Sequence, residues 1–567
     1  MLQCIMLLLL LAGCNRTSSS PPPSSLLADS NRDGLVDDKD YLPHEGWSAQ
    51  SGALFLANLD DDDGDQLPDA SDEKVNGLDD GKDLARIRLV AWPIVPMMAS
   101  GKITLEGAGD AVRLFRVAGA PEKWKVVTGE LSAAELAAGA EFAIEGKRFA
   151  DATWDGQVVL HLVVSDGPRV VAEDRLALRV APFVMIHNLT DLATLWEAVP
   201  NDQSGDAFAQ GIGSLTLSAS DDQKHAEVDD QWAEDWWQIG VTFMPAPGGT
   251  TQGMRVAQRS AQPNRKAGQF AEQQLGKDMA FIWPHTDESQ GDLSSSLDSF
   301  GNHDTLPPYS KGAVTYPLGR ILIGGNETMY IDPEVRAFYD AQRVQPVFQV
   351  DTAFLLVGHV DEIFSYVPAH TPRGWKLLVA SPKRARAMLL ELSQAGHGNA
   401  VVFAGMHWWN KKADTTVDNL LTNPELMAAN ELAQLKIDEQ RLALQTEIGL
   451  TADEIVEMPF LFERVKTGGE QLLVAHMPGT VNLRSANGSV GIPKPHGPVV
   501  AGVDLFEKDL VDRLGTAQNA LGSDGMGLKI HFVEDWDDYH ALDGEVHCGT
   551  TSQARPMPNL NWWGAGR

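Results

Sequence analysis

One cysteine lies in the body of this chain, Cys548 in DGEVHCGTTS, whereas Cys4 and Cys14 fall in or just after an N-terminal apolar segment. A lone thiol in an oxidising compartment has no disulfide partner, so it is either an inert core residue or a reactive nucleophile. Two further stretches carry side chains that would serve a nucleophile: Asp235 in DDQWAEDWWQIG, and His359 with Asp361 in LLVGHVDEIFSYVPA. Residues two apart on a strand share a face. If 357–362 is a strand, His359 and Asp361 therefore meet one substrate, one gripping it while the other passes protons. Taken singly, each has an ordinary explanation: a capping aspartate, a core histidine, a buried thiol. Spacing alone leads no further than thiol catalysis.

A second chemistry is written in the acidic region from Asp29 to Asp83. Asp29, Asn31, Asp33, Gly34, Leu35, Asp37 and Asp40 follow the calcium-loop rhythm D-x-N-x-D-G. The side chains supply oxygens at alternate positions, Leu35 a carbonyl, and Gly34 the sharp turn that lets them converge. Asn58, Asp60, Asp62, Asp69, Asp72, Asp80 and Asp83 form a second cluster. So many carboxylates crowded together repel one another unless a cation neutralises them, and calcium is the expected cofactor.

The elements that must position these groups are legible in outline. At 567 residues the chain can form two or three domains, each with its own core. With 78 acidic against 45 basic residues and a net charge of -33, its surface repels nucleic acid and attracts cations. Residues 27–182 show short alternating apolar runs with Gly and Pro punctuation, which predicts an antiparallel β-sandwich. From 183 to 567, strand-like segments such as VVFAGM, QLLVAHM and LKIHFVED alternate with helix-like ones at 382–392 and 423–447, which predicts an α/β domain. No Walker loop, CxxC pair or Gly-x-Ser-x-Gly elbow is present.

The first residues read as a targeting signal. The apolar run at 1–13 is too short to span a membrane and suits the core of a secretory signal. Its end, Leu11, Ala12, Gly13 and Cys14, resembles the lipobox of bacterial lipoproteins, which implies acylation of Cys14, cleavage after residue 13 and a membrane contact through the lipid alone. Asn15 does not resemble the aspartate that retains lipoproteins in the inner membrane, so the outer membrane is expected. TSSSPPPSS, within a tether at 15–26, should be extended and flexible.

Several segments resemble the protein-arginine deiminases, in order along the C-terminal part: DDQWAED (229–235), LDSFGN (297–302), YPLGRILIG (316–324), VGHVDE (357–362), LLVASP (377–382), GHGNAVVF (396–403), GIPKPHGPVV (491–500) and GEVHCGT (544–550). GALFLANLDDDDGD (52–65) resembles the family's calcium-binding middle domain. The resemblance implies that 183–567 is a five-bladed α/β propeller, the pentein fold, following a calcium-binding β-sandwich. It further implies calcium-dependent hydrolysis of peptidyl-arginine to peptidyl-citrulline and ammonia. A guanidinium is cationic and its resonance makes the central carbon a poor electrophile, so it must be held rigidly beside a thiolate. Asp235 and Asp361 are implied as the paired carboxylates, Cys548 as the nucleophile forming a thiouronium, and His359 as the acid and base.

The same resemblance places Trp232 along the substrate's arginine side chain and Arg265 on its peptide backbone, although SAQPNRKAG around Arg265 departs from the family pattern. One calcium site beside the cleft carries over, with Glu234, Gln238 and Asp304 through side chains and Phe300 and His303 through carbonyls. A second site does not: Trp236, Ser260 and Ala261 stand where ligands belong, and only Asn264 is kept. Two alternatives use the same residues differently: a deiminase or amidinotransferase for free arginine or a small guanidine, and a calcium-binding lipoprotein without turnover.

Overall fold

The structure is a computed structural model and describes residues 21–22, 25–41, 45–198, 205–215, 222–285, 293–515, 526–555 and 563. Cys14, the expected signal at 1–14 and most of the expected tether lie outside the described residues. Leu26, read as the end of the tether, instead opens a strand (Leu26–Leu27) that pairs antiparallel with Ala85–Leu89. Its apolar side chain is buried, which an extended solvated linker would not allow.

Two five-stranded sheets make up the N-terminal part. In spatial order, the first contains Leu26–Leu27, Ala85–Leu89, Ala140–Gly146, Val112–Arg116 and Lys125–Val126. The second contains Ala53–Phe55, Arg169–Val180, Gln157–Asp166, Ala99–Glu106 and Glu130–Ser132. Strict alternation sets which face is dry. Along Gln157–Asp166 the buried residues are Val158, Leu160, Leu162 and Val164. They share one core with Ile87, Phe142 and Ile144 of the other sheet.

Beyond residue 183 the chain is mixed α/β, and the described residues form five three-stranded sheets built to one pattern. In each, the middle strand runs antiparallel to one neighbour and parallel to the other. The middle strands are Leu192–Glu197, Thr250–Arg259, Arg320–Gly324, Trp375–Ser381 and Ser489–Pro493. A parallel neighbour requires a crossover. Helices supply it: Gly205–Gly213, Gln269–Glu272, Pro333–Gln342, Pro424–Ile448 and Leu505–Leu514 each lie between a middle strand and its parallel partner in sequence. Their starts are written locally. Asp332 and Asn423 accept N–H groups of the first turn, each followed by Pro at the first helical position, and Asp504 caps Leu505–Leu514. The last strand, Thr550–Ala554, returns to pair with Leu192–Glu197, so the segment after Cys548 is fixed against the start of this part. Among the described residues, no helix is long and apolar enough to cross a membrane.

The two parts are bonded to each other. Gln342, at the end of Pro333–Gln342, accepts Phe183 N–H and donates to the Ala150 carbonyl, and Arg179 donates to the Gln342 carbonyl. Gln252 donates to Asp83 across the same boundary.

Candidate active site

Cys548, Asp235 and His359 line one cavity of about 720 Å³, together with Trp232, Arg265, Ser299, Asp543 and Gly544. Each comes from a different local device. Asp235 sits in the short helix Ala233–Trp236, whose Glu234 N–H is held by the Cys548 carbonyl at 3.1 Å. His359 and Asp361 do not lie on a strand, contrary to the sequence reading. Gly358 turns the chain at φ 86°, and His359 caps the one-turn helix Val360–Glu362. Their convergence is therefore made by packing against Gly301: a methyl group built there would lie 2.6 Å from His359 Nδ1, 3.0 Å from Asp361 Oδ2 and 3.2 Å from Asp235 Oδ1. The Cys548 sulfur stands 3.7 Å from Asp361 Oδ2.

The electrostatics of this cluster are those of a cation site. Asp235 Oδ1, Asp361 Oδ1 and His359 Nδ1 are buried without a hydrogen-bond partner, an arrangement that costs free energy until a donor arrives. His359 Nε2 is bonded to the Ser296 carbonyl at 2.8 Å and therefore carries the proton, which leaves Nδ1 lone-pair-bearing 3.8 Å from Asp235 Oδ1. Burial holds the Asp361 carboxyl well above the usual carboxylate range, with Glu362 and Asp235 adding to it. Burial also pushes the Cys548 thiol well up, followed by Asp361 and Asp235, and it lowers His359. A cation between the two acids relieves the repulsion that, after burial, raises Asp361 and Cys548.

Arg265 already touches one of the acids. Its guanidinium is bidentate to Asp230, at 2.7 and 3.0 Å, and its Nη1 lies 3.2 Å from Asp235 Oδ2. The residue expected to contact substrate backbone is here an ion-pair partner of the cleft carboxylate. Trp232 rests on Gly544, where any added Cβ would lie 2.1 Å from the indole, and meets Tyr539 edge-on at 5.5 Å.

Three supporting residues escaped the sequence reading. Asn482 donates to the Cys548 sulfur at 3.3 Å, and its Oδ1 accepts His547 N–H at 2.9 Å and Cys548 N–H at 3.3 Å. No motif surrounds it, and sequence gave no signal. His547, next to the nucleophile, receives Asn188 Nδ2 on its Nε2 at 3.0 Å, so its Nδ1 carries the proton donated to Asp361 Oδ2 at 2.9 Å. Arg484 is fully buried and joins Glu234 at 2.7 Å, Asn188 at 2.8 Å and Thr550 Oγ1 at 3.0 Å.

Glu234, Gln238, Phe300, His303 and Asp304 are all buried near this network. Gln238 Oε1 has no partner. Burial raises Glu234 to about 7 against the opposing Arg484, and raises Asp304 to about 6. An unsatisfied carbonyl with two crowded carboxylates fits a hard divalent cation. At the position of the missing second site, Trp236 is stacked on Trp237 at 5.7 Å and offers no oxygen ligand.

In the N-terminal part the acidic residues sort into groups. Asp60, Asp62 and Asp83 converge within metal-binding range, as do Asp61, Asp63 and Asp69. Both carboxylate oxygens of Asp60 and one of Asp62 are buried without a partner. Asp278, from beyond the domain boundary, adds to the repulsion on Asp60, Asp62 and Asp83. Asp61 and Asp63 lie in the acidic run outside the two expected clusters, and Asp278 lies outside the run altogether. Asp72 pairs with Lys74 at 2.8 Å, while Asp80 accepts from Asn58 at 2.9 Å and from Asn76 N–H at 2.5 Å. The first loop is held differently. Asp29, Asn31, Asp33, Asp37 and Asp40 accept N–H groups of their own loop, and the Leu35 side chain is exposed. Its oxygens are not among the convergent groups of the described residues.

Family profiles and curated relatives agree on one family. The family profile described as Protein-arginine deiminase (PAD) matches residues 170–564, and that of the Protein-arginine deiminase (PAD) middle domain matches 24–166. Mouse protein-arginine deiminase type-3 is 30% identical over 94% of this chain and 81% of its own length. Human protein-arginine deiminase type-1 is 30% identical over 95% and 82% respectively. Among solved structures, C. jejuni agmatine deiminase aligns over 66% of this chain and 97% of its own, with 9% identity and a TM-score of 0.36.

Proposed function

The chain belongs to the protein-arginine deiminase family, and on that premise we propose that it hydrolyses the guanidinium of arginine in peptides and proteins to citrulline, releasing ammonia. The observation that carries the reading is the pair of buried, unpartnered carboxylate oxygens of Asp235 and Asp361, with the Cys548 sulfur 3.7 Å from the second acid. Guanidinium N–H groups would satisfy those oxygens in charge-assisted bonds. The Trp232 indole would cover the apolar stem of the side chain.

Burial holds the Cys548 thiol protonated and the two acids add to it; binding of the cation would offset those two charges, so substrate itself would favour the thiolate. The thiol proton would pass to His359 as sulfur attacks the central carbon. The imidazolium would return that proton to the departing nitrogen, expelling ammonia and leaving a thiouronium on Cys548. His359 would then deprotonate water as it adds to the same carbon, and collapse would free citrulline and the thiolate. His547 and Asn482 would orient Asp361 and the sulfur throughout.

Calcium dependence is proposed as in the family. Glu234, Gln238 and Asp304, with the Phe300 and His303 carbonyls, would hold one ion beside the cleft, where it would neutralise buried carboxylates whose nearby cation is Arg484. Asp60, Asp62 and Asp83, and separately Asp61, Asp63 and Asp69, would bind calcium in the N-terminal part, rather than Asp72, Asp80 or the loop at Asp29, whose oxygens are engaged within the chain. The two five-stranded sheets would form a β-sandwich at 27–182. The five repeated three-stranded units would close as a five-bladed propeller at 183–567, a reading favoured by the pairing of the last strand with the first. The residues at 11–15 support the reading of an outer-membrane lipoprotein anchored through Cys14.

Citrulline formation from a blocked arginine amide, measured beside free arginine and agmatine with and without calcium, tests the reading. Cys548→Ser should abolish turnover. Equal rates in variant and parent would defeat it, and a preference for agmatine would assign the cleft to small guanidines.

A further inference from the structure

We propose that the loop at 91–98 is a membrane-contacting face, seated in the apolar edge of a lipid bilayer when the chain is anchored at Cys14; this rests on the anchor reading and extends it to the folded domain. Met97 is 93% exposed, Met98 81% and Ile94 40%. Scattered surface apolar residues are ordinary, but these three fall in one loop, and residues 89–101 carry no charge in a chain that is 22% charged. The loop is not a frayed end. Trp92 is buried and its N–H is held by the Leu136 carbonyl at 2.8 Å, Val95 N–H bonds the Trp92 carbonyl at 2.9 Å, and Ala99 N–H bonds the Pro96 carbonyl at 2.9 Å. A rigid base therefore presents the two methionines outward.

The geometry of the chain start says what covers them. Leu26 pairs antiparallel with Leu89 and Leu27 with Arg88, and Val90 N–H bonds the Ser25 carbonyl at 2.8 Å. Followed backwards from Ser25, the chain leaves the sheet at the same end at which, followed forwards from Val90, it enters the exposed loop. Asp174 fixes that exit by accepting the Ser25 and Leu26 N–H groups at 2.5 and 2.8 Å. Residues 15–24 separate the exit from Cys14, a reach of at most about 35 Å when fully extended. An acyl group on Cys14 thus brings a bilayer to the end of the domain where the uncharged loop projects. With a net charge of -33 the protein gains nothing from anionic headgroups. The contact is apolar, shallow and insensitive to salt, as for interfacial segments that bury their apolar side in the headgroup and acyl boundary.

The test uses the full chain, produced with its signal, in zwitterionic phosphatidylcholine vesicles that include a lipid carrying a photoreactive diazirine on its acyl chain. Trypsin releases 89–102 as one peptide, and mass spectrometry reads lipid adducts along the chain. The expected result is a signal on 89–102 at least ten-fold above that on peptides holding Met406 or Met427. Met97→Glu with Met98→Glu should lower it at least five-fold while the protein stays vesicle-bound and keeps its citrulline-forming rate. Vesicle-bound, acylated protein with no excess adduct on 89–102, or an adduct unchanged by the double variant, overturns the contact and leaves the anchor standing. Absence of an acyl group on Cys14 overturns both. Concentration-dependent dimerisation in solution, removed by the double variant, assigns the face to a second copy of the chain and also overturns the proposal.

Discussion

Replacing Asn482 separates the positioning of the nucleophile from the folding of its loop. The amide does two jobs: Nδ2 donates to the Cys548 sulfur at 3.3 Å, and Oδ1 accepts the His547 and Cys548 N–H groups at 2.9 and 3.3 Å. Asn482→Asp keeps an acceptor for both N–H groups but replaces the donor with an anionic oxygen facing sulfur. A hydrogen bond to a charged group contributes roughly 1.5–3 kcal/mol, so kcat/KM should fall by about 10- to 150-fold through this term alone. The thiol should also deprotonate at higher pH, seen as a basic shift in its alkylation by iodoacetamide. Asn482→Ala additionally takes the acceptor from the buried Cys548 N–H, at about 1–3 kcal/mol, while His547 N–H keeps the backbone carbonyl of residue 482 at 3.1 Å; it should lower the thermal midpoint where the aspartate variant does so much less. Citrulline release from a blocked arginine amide and the alkylation profile are the two assays. A folded Asn482→Asp protein with kcat/KM within two-fold of the parent and an unshifted alkylation profile would refute the reasoning.

Gly301→Ala places a methyl group 2.6 Å from His359 Nδ1 and 3.0 Å from Asp361 Oδ2, and kcat should drop at least about 100-fold with the fold retained. A full-rate alanine variant would show that the two side chains do not work at that point. Arg484→Met leaves Glu234 buried without its cation and should cost about 3–5 kcal/mol by denaturant titration. Adding Glu234→Gln should recover much of that loss, and no recovery would disprove the pairing argument. Chelation should destabilise the parent by about 3 kcal/mol if the cation had been present at about a hundred times its dissociation constant. Asp60→Asn with Asp83→Asn should largely remove that difference, since Asp83 converges on Asp60, whose oxygens have no partner. His540 is pushed down to about 3 by burial, with His476 and His496 adding to it. The folded protein excludes a proton that the unfolded chain takes up below the ordinary histidine value, so stability falls as pH drops from 6.5 toward 3. Against a His540→Gln variant, the parent should lose on the order of 1 kcal/mol more between about pH 6.5 and 5.5. Parallel pH curves for the two proteins would mean that His540 is not buried neutral.

What sequence could and could not reveal follows from the range of the interactions involved. The helix Pro424–Ile448 is legible because its limits are local: Asn423 caps it, Pro424 opens it and Gly449 stops it in the left-handed conformation. The alternation of Gln157–Asp166 is equally local. His359 and Asp361 were found, but on the wrong element, because VGHVDE alternates like a strand while the turn at Gly358 depends on what packs beneath it. In the acidic run, counting carboxylates cannot tell Asp60, whose oxygens are dry and unpartnered, from Asp72, which pairs with Lys74 in the open. That distinction is made by burial, and for Asp278 by a charge that folding brings near from distant sequence.

The least legible group is also the one on which the chemistry leans. Asn482 and Arg484 lie outside every segment that resembles the family, and His547 lies within one beside the nucleophile, yet together they tie the sulfur, the second acid and Glu234 into one buried network. Such a network is costly when any member is missing, because each partner is then left unpaired in a dry site. This makes the cleft stiff. It also couples the nucleophile to the proposed calcium ligands through a single side chain, since Arg484 donates both to Glu234 and to the carbonyl of His547, the residue just before Cys548. A cation arriving at Glu234 competes with Arg484 for that carboxylate, so any response of activity to calcium should be transmitted by movement of this arginine. If Arg484→Lys, which keeps the charge but loses the planar fork, leaves the calcium dependence of citrulline formation unchanged, the coupling runs elsewhere.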